Sequence, residues 1–401
     1  MYKISTEKLP ELWRALAEGR ELYAPIDKGG VTGFHLWTEG ARVKLDRLNT
    51  VKSPKDAFFP QSENMARFKV EGKAISVEAQ LPEERTAVYF GIRACDARSF
   101  DILDAVFLSD PADAYYKARR ENGIIVTLAC TAPEETCFCT AFGIDPTAPA
   151  GDVRCALCGD SLFWEPLTDK GRALTEAAAP LLAQAESGDE AALSAQTEQT
   201  KASLGNLPFG RISLEGWDGE HLNEKFNSPK WAELSRACIG CGACTFVCPT
   251  CQCYDIRDFD TGHGVQRFRC WDSCMYSDFT RMAHGNPRKT QLERFRQRFM
   301  HKLVYFPANN DGMFFELLSK GVDAVVFDMP VVTAFANSAG KGKAKVVGPL
   351  YEGQKYGIGF AQGNEELVKK VNGVLDQMRK DGSYAKLYEK WFGFAPKESD
   401  M

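Results

Sequence analysis

Six of the fourteen cysteines in this 401-residue chain lie between positions 238 and 253, in the stretch CIGCGACTFVCPTCQC. Cys238, Cys241, Cys244 and Cys248, followed by Pro249, have the spacing C-x2-C-x2-C-x3-C-P. Thiolates at this spacing ligate iron–sulfur clusters, and the fourth cysteine usually serves a second cluster whose own run supplies a ligand in return. The run therefore predicts a 4Fe-4S cluster and raises the question of where a second run lies.

Zinc is the alternative occupant of the run, because thiolates are soft ligands that suit either metal. Structural zinc prefers two separated C-x2-C pairs, which this run does not have. Gly240 and Gly242 allow the chain to wrap tightly, so that backbone amides can point at the inorganic sulfides of a cubane. The spacing and the glycines favour iron–sulfur.

Further cysteines close to the run are weaker candidate ligands. They could bind a cluster, or they could be buried thiols that pack beside one. They are Cys251, Cys253, Cys270 and Cys274.

An N-terminal group of cysteines is a second candidate cofactor site. Its members are Cys95, Cys130, Cys137 and Cys139. The first two end the apolar segments 86–92 and 123–129, which we predict to be buried strands. If these strands are parallel neighbours, their ends lie side by side, where α/β sheets build sites. Four thiolates there could hold another cluster; buried structural thiols are the alternative.

Cys155 and Cys158 form an isolated C-x2-C pair. A zinc half-site, a redox pair and no role at all remain open for it.

The bulk composition narrows the class of protein. Apolar residues make up 44% of the chain, which is typical of a globular protein. The net charge of −5 argues against nucleic acid or an anionic membrane surface as partner. We find no apolar stretch of membrane-spanning length and no secretory signal at the start, so we expect a cytoplasmic protein. Dense cysteine in such a compartment indicates metal or redox chemistry rather than disulfides.

The elements that must position these cysteines indicate an α/β fold. A helix with Phe100, Leu103 and Phe107 at helical spacing separates the two buried strands, which suggests a βαβ-like unit. Leu9, Leu12, Trp13 and Leu16 predict an earlier helix. The Ala- and Glu-rich segment 171–204 predicts helices with breaks at Pro180 and at Ser187-Gly188.

Composition changes abruptly near residue 311. Cysteine disappears, segments 322–328, 344–350 and 355–361 predict strands, and segments 364–382 and 383–393 predict amphipathic helices. Asn364 is the expected N-cap and Gly382 the expected stop. We therefore expect four regions: an α/β domain (1–170), a helical and irregular connector (171–230), a ferredoxin-like iron–sulfur module (231–310) and a C-terminal segment (311–401).

Several motifs in a fixed order carry a family resemblance over about residues 1–308. They are GIRACDARSFDILDAVFL, YYKARRENGIIV, C-x6-CFC, CIGCGACTFVCPTCQCYDI, RCWDSC and HGNPRKTQLERFRQRFMHKLVYFP. They resemble the beta subunit of sulfhydrogenase-type hydrogenases and, equally, the electron-carrying subunit of anaerobic sulfite reductase. The resemblance implies two 4Fe-4S clusters. It also implies that Cys238, Cys241 and Cys244 hold the first cluster and that Cys248 reaches to the second.

A second resemblance replaces the expected second cysteine run. VDAVVFDMPVVTAF and the sequence from KYGIGFA to KWFG resemble the C-terminal quarter to third of polar amino-acid binding proteins of ABC importers. It implies an α/β fragment of a periplasmic-binding-protein-like fold, in which Asp328 matches a residue that contacts the ligand's ammonium group. Such proteins need two complete lobes to enclose their ligand, so we expect that Asp328 binds no ligand in this chain. The sequence indicates a fusion whose first cluster lacks its usual fourth ligand; Cys253, Cys270 or Cys274 could substitute.

The sequence therefore predicts an iron–sulfur electron-transfer subunit, which relays electrons and has no catalytic acid, base or nucleophile of its own. The resemblance implies as partners a flavin- and nicotinamide-binding subunit and a hydrogenase or sulfite reductase catalytic subunit. A polar amino-acid binding module and a metal-stabilised scaffold without redox function are the alternatives.

Overall fold

The computed structural model describes residues 1–306, except Lys73 and His284, and residues 365–392. The chain divides into two compact units, Met1–Leu303 and Val304–Met401. No helix among the described residues has the length and apolar character needed to cross a membrane.

An eight-stranded mixed sheet forms the centre of the first unit. Its strands, in spatial order, are β10 (Ala183–Gln184), β1 (Tyr2–Ser5), β9 (Ser161–Pro166), β8 (Val153–Cys158), β7 (Gly123–Leu128), β6 (Ala87–Ile92), β2 (Glu21–Lys28) and β3 (Val31–Leu36). The four central strands β2, β6, β7 and β8 are parallel, and the outer pairings are antiparallel. Every residue of β6 and β7 is buried, because helices cover both faces of a parallel sheet.

Helices enclose this sheet on its two faces. They are α1 (Leu9–Ala17), α2 (Ala94–Phe107), α3 (Ala114–Asn122), α4 (Asp169–Ala178) and α5 (Ser187–Leu204). One core gathers α1 and α4 against the sheet through buried residues such as Leu12, Trp13 and Leu174. A second core gathers α2 and α3 through Phe100 and Tyr116. The segment 169–204 therefore packs on the sheet rather than standing apart from it.

A four-stranded antiparallel sheet joins the N-terminal region to the cysteine-rich region. Its order is β11 (Tyr254–Asp260), β12 (Val265–Trp271), β4 (Ser62–Glu71) and β5 (Ala74–Ala79). Strand β12 pairs with β4, and the register shifts between Arg267 and Phe268. Arg269 on β12 is buried and forms ion pairs with Glu63 of β4 and with Asp113, the N-cap of α3. These contacts fix the β11–β12 hairpin, which follows the cysteine run, to the N-terminal region.

Short helices surround the cysteine run itself. They are α6 (Leu222–Phe226), α7 (Lys230–Leu234), α8 (Ala243–Phe246) and α9 (Gln291–Met300), and a π-helix, His301–Tyr305, follows α9. Thr290 caps α9 and forms a capping box with Glu293. The second unit contributes α10 (Glu365–Asp381) and α11 (Ser383–Phe392).

Most of the expected elements are confirmed where the structure describes them. The predicted strands 86–92 and 123–129, the helix between them and the helix at Leu9 are present. The sequence does not indicate α3, which adds a second helix to the crossover. Ser187-Gly188 begins α5 instead of breaking a helix, because Glu186 and Asp189 form a reciprocal cap at this start.

The helices predicted at 364–382 and 383–393 are confirmed, and Gly382 separates them with a positive φ of 76°. Asn364, Asp328 and the strands predicted at 322–328, 344–350 and 355–361 lie outside the described residues. The four regional boundaries expected from the sequence stay predictions.

Candidate iron–sulfur centres

The loop that carries Cys238, Cys241 and Cys244 is shaped by two left-handed glycines. Gly240 and Gly242 have φ values of 70° and 75°, a region that favours glycine. Space also requires glycine at 242, because an added Cβ would lie 2.8 Å from the Tyr276 ring. The chain thus turns twice within seven residues and sets its thiols around a tight bend.

The surroundings of this loop suit an iron–sulfur ligand set. Gln291, the first residue of α9, donates a hydrogen bond from Nε2 to the Cys238 Sγ at 3.1 Å. Hydrogen bonds to cluster sulfur are one of the means by which a protein sets the reduction potential. Cys241 and Cys244 are exposed and Cys238 is half-buried. The soft donors, the tight turn and the bond to sulfur fit a 4Fe-4S cluster whose edge faces solvent.

Helix α8 is tied to the RCWDSC segment. The Thr245 hydroxyl donates to the Gly242 carbonyl at 2.7 Å and is hydrogen-bonded to the Ser273 hydroxyl at 2.8 Å. The Phe246 ring stacks on Trp271 at a centroid distance of 6.3 Å. Because Thr245 and Ser273 are both buried, this link holds the two cysteine-bearing segments in a fixed relation.

A second group of thiols lies directly after α8. The Cys251 thiol is within hydrogen-bonding reach of Cys248, and Cys253 is within reach of Cys274. Cys251 interacts electrostatically with Cys253, so the two pairs are neighbours. We call these residues, Cys248, Cys251, Cys253 and Cys274, the inner thiol group.

Two lysines from distant parts of the chain face the inner thiol group. Lys55 is 2% exposed, and its Nζ donates to the Cys251 carbonyl at 3.1 Å and lies 3.9 Å from the centroid of the Trp271 ring. Lys302 donates from Nζ to the Thr250 Oγ1 at 2.7 Å. Burial lowers the pKa of Lys55, and the neighbouring Cys251 and Cys248 oppose that effect.

The pKa values of the Cys248 and Cys251 thiols shift in opposite directions. The hydrogen bond from Cys251 lowers the pKa of Cys248 against the effect of burial, and Lys302 lowers it further. The same hydrogen bond raises the pKa of Cys251. Burial disfavours the charge of Lys302, but Cys248 and Cys251 outweigh it and raise the pKa of Lys302. The hydrogen bond from Cys251 and the charge of Lys302 therefore both favour ionisation of the Cys248 thiol.

The N-terminal cysteine group meets where the sequence predicts. Strands β6 and β7 are parallel neighbours, so Cys95 and Cys130 lie just beyond the same edge of the sheet. The Cys95 thiol interacts electrostatically with Cys130 and Cys139, and Cys130 interacts with Cys137. Burial raises the pKa of Cys95 to about 12 and that of Cys130 to about 11, although Cys95 as a residue retains solvent exposure.

Arg93 fixes the backbone around this group. The side chain is 7% exposed and donates to the carbonyls of Leu45 at 2.7 Å, Arg47 at 2.9 Å and Ala129 at 2.9 Å. Its guanidinium also lowers the pKa of Cys130 against burial. Arg93 therefore places a buried positive charge beside the N-terminal thiols.

Asp96 connects the two regions electrostatically. Burial raises the pKa of Asp96 to about 7, an effect that Arg93 opposes and Cys248 reinforces. The inner thiol group thus lies near enough to the N-terminal group for their charges to interact.

Other cysteines stand apart from these groups. Cys270 on β12 has Arg257, Asp255 and Asp272 as its charged neighbours. Cys155 is fully buried in the main core, and Cys158 lies three positions along the same strand, which places the two side chains on opposite faces. The pair therefore forms neither a zinc half-site nor a redox pair.

Within the described residues no three His, Cys, Asp or Glu side chains are gathered closely enough to hold a single metal ion. A cubane places its four irons at separate corners and takes one thiolate at each, so its ligands stand farther apart. The assignment of individual cysteines to clusters stays a prediction.

Sequence reasoning missed Lys55, Lys302 and Arg93. The sequence around Lys55 gives no signal, since lysine is mostly exposed and only the tertiary fold buries it.

Comparison with known proteins bears on the cofactor. Residues 237–314 match the family model of the 4Fe-4S dicluster domain. Over 307 residues, which are 76% of this chain and 89% of the relative, the chain is 29% identical to sulfhydrogenase 2 subunit beta of Pyrococcus furiosus.

A second set of relatives consists of binding proteins. The chain is 37% identical over 78 residues to a probable histidine-binding protein of Neisseria gonorrhoeae, which is 19% of this chain and 29% of that protein. It is 39% identical over 80 residues to a putative ABC transporter arginine-binding protein of Escherichia coli, 19% of this chain and 33% of that protein. The chain thus spans a third or less of these two proteins.

These findings confirm both resemblances that the motifs indicated, and they confirm a 4Fe-4S cofactor.

Proposed function

We propose that this chain is the iron–sulfur electron-transfer subunit of a cytoplasmic oxidoreductase complex of the hydrogenase, sulfur-reducing or sulfite-reducing type. The observation that carries the proposal is the match of residues 237–314 to the 4Fe-4S dicluster domain. The matched segment contains the cysteine loop with its two left-handed glycines and the hydrogen bond from Gln291 to the Cys238 sulfur. Similarity to a sulfhydrogenase beta subunit over most of the chain supports it.

The ligands divide between the cysteine loop and the N-terminal group. Cys238, Cys241 and Cys244 hold the first cluster, and Cys248 belongs to the second. The N-terminal group of Cys95, Cys130, Cys137 and Cys139 holds a further cluster, beside the buried charge of Arg93. A bound cluster supplies one-electron redox chemistry. The chain's own residues bind it, exclude water and donate hydrogen bonds to its sulfurs.

The loop offers an opening through which a partner can approach. Ile239 is 88% exposed between two ligand cysteines, and Cys241 and Cys244 are exposed beside it. A depression of about 710 Å³ adjoins Ile239, and its lining includes Tyr254 and Tyr276. Electrons enter or leave at this face. The proposed partners are a flavin- and nicotinamide-binding subunit and a hydrogenase or sulfite reductase catalytic subunit.

Anaerobic redox cycling of the full chain tests the proposal. The purified protein is reduced with dithionite and reoxidised with a one-electron acceptor, while visible absorbance and electron paramagnetic resonance are recorded. We expect reversible bleaching and a reduced-cluster signal. The matched variant Cys238→Ser/Cys241→Ser should lose the signal of the first cluster. A chain that shows no reversible bleaching contradicts the proposal.

A further inference from the structure

Helix α9 lies alongside the cysteine loop. Gln291, Arg294 and Arg298 have the i, i+3, i+7 spacing of a single helix face. Gln291 donates to the Cys238 sulfur at one end of this face, and the Arg298 Nη2 donates to the Cys244 carbonyl at 2.6 Å about two turns later. Arg294, between them, donates from Nη2 to the Gln291 Oε1 at 2.9 Å. This face of the helix therefore holds two arginines beside the cysteine loop.

These arginines belong to a basic stretch of an acidic chain. Residues 281–302 contain seven Lys and Arg and one acidic residue, Glu293, although the whole chain has a net charge of −5. Glu293 is engaged in the capping box of α9. Arg294 and Arg298 donate to carbonyl and amide oxygens, and within the described ranges neither forms an ion pair with a carboxylate. The positive charge beside the loop is therefore available to an anionic partner.

The depression that adjoins Ile239 does not supply the missing negative charge. Its lining contains three aspartates and three arginines: Asp255, Asp272, Asp278, Arg257, Arg281 and Arg294. Asp255 pairs with Arg257 at 2.8 Å. Asp278 pairs with Arg281 at 3.8 Å. The depression itself is thus close to neutral, and the excess positive charge comes from α9 and the segment that precedes it.

Exposed apolar side chains lie next to this charge. Ile239 is 88% exposed within the cysteine loop, and Met282, beside Arg281 in the chain, is 62% exposed. Tyr276 is also partly exposed, and its hydroxyl donates to the Cys241 carbonyl at 3.3 Å. Tyrosine, methionine and arginine are enriched in protein–protein interfaces, where an apolar centre is surrounded by a polar rim. The loop and its surroundings therefore have the composition of a protein docking surface.

We propose that this face, made of Ile239, Tyr276 and the basic segment 281–298, docks a one-electron carrier protein whose contact surface is acidic. The proposal rests on the proposed function and names the chemistry of the partner. One electron passes from the reduced 4Fe-4S cluster to the oxidised cofactor of the carrier, and no bond forms or breaks.

The charge distribution favours a carrier protein over a more extended anion. A chain with a net charge of −5 repels an acidic carrier over most of its surface and attracts it at this face, so charge sets the orientation of docking as well as its rate. A membrane or a nucleic acid extends over a wider area and also meets the acidic remainder of the chain, which disfavours both.

Two matched double variants test the role of the charge. Arg281→Gln/Lys289→Gln removes two exposed cations from the face. Lys8→Gln/Arg14→Gln is the control, because it also removes an exposed lysine and an exposed, ion-paired arginine. The control positions lie at α1, which packs in the first core, whereas the aromatic residues next to the cysteine loop belong to the second core.

Stopped-flow reoxidation is the measurement. The full chain is purified anaerobically, reduced with dithionite, freed of excess reductant and mixed with oxidised flavodoxin, an acidic one-electron carrier. We expect the wild-type rate to fall as salt is added, because salt screens exposed charges. At low salt, Arg281→Gln/Lys289→Gln should react about tenfold more slowly than wild type, at the lower end of what charge steering contributes. The control should react no more slowly than wild type, and all three proteins should keep the same iron content and reduced-cluster signal.

Each alternative outcome has a distinct meaning. A wild-type rate that does not depend on salt, or equal rates for the two double variants, overturns the docking proposal and leaves the proposed function standing. A wild type that dithionite does not reduce overturns the proposed function as well. Sedimentation with phosphatidylserine vesicles should leave the wild type in solution; co-sedimentation that Arg281→Gln/Lys289→Gln abolishes assigns the face to a membrane and overturns the proposal.

Discussion

Replacing Arg269 with methionine should weaken the attachment of the β11–β12 hairpin to the N-terminal region. Arg269 is 1% exposed, and its Nε donates to the Glu63 Oε1 at 2.9 Å, while Nη1 pairs with Asp113. Its guanidinium also lies 5.3 Å from the Phe59 ring centroid. Removing one partner of a buried ion pair costs about 3–5 kcal/mol, because the remaining charge stays buried without its counter-ion.

The structure places the expected cost at the lower end of that range. Glu63 keeps a second partner, since the Arg119 Nη1 donates to it at 2.6 Å. Asp113 keeps its cap bond from the Tyr116 amide. We therefore expect a loss of about 3 kcal/mol, which is roughly a hundredfold in the folding equilibrium.

Arg267 is a matched control on the same strand. It also pairs with an aspartate, Asp258, but the two side chains are 44% and 47% exposed. Exposed pairs contribute at most about 1 kcal/mol. Urea denaturation of the anaerobic protein, followed by tryptophan fluorescence and analysed with a common slope, measures both variants. If Arg269→Met and Arg267→Met lie within about 0.5 kcal/mol of each other, the buried pair does not anchor the hairpin.

Three further perturbations follow from the site. Gln291→Leu removes the hydrogen bond to cluster sulfur and should lower the potential of the first cluster, whereas Gln297→Leu on the same helix should not; equal potentials contradict this. Gly242→Ala places a Cβ 2.8 Å from the Tyr276 ring at a left-handed position, so a chelator should remove iron from this variant faster than from Gly219→Ala. Gly219 is the control because an added Cβ there meets no atom within 4 Å, and equal rates would refute the steric argument. Calorimetry with histidine or arginine should give no heat, because the chain spans a third or less of the binding proteins, and a saturable signal would favour the binding module.

Local pattern was enough to predict the central βαβ unit. Segments 86–92 and 123–129 are apolar throughout, and burial on both faces makes that the pattern of a central parallel strand. The same reasoning predicted that Cys95 and Cys130 lie together, since parallel neighbours end at one edge. The spacing of the cysteine run was by itself enough to predict a 4Fe-4S cofactor.

Long-range pairing could not be predicted. Strand β12 pairs with β4 across some two hundred residues, and nothing in either strand specifies that partner. Lys55 is likewise ordinary in sequence and becomes a site residue only because the fold carries it under Trp271. Helix α3 was missed because its charged segment has little apolar periodicity.

Iron and acid-labile sulfide per chain test the central claim most directly. The full chain is purified without oxygen and assayed beside a Cys238→Ser/Cys241→Ser/Cys244→Ser variant. We expect a brown protein with equal amounts of iron and sulfide in multiples of four, and a variant that is lower by one cluster equivalent. A colourless wild type with neither element, or one that binds zinc in their place, contradicts the account.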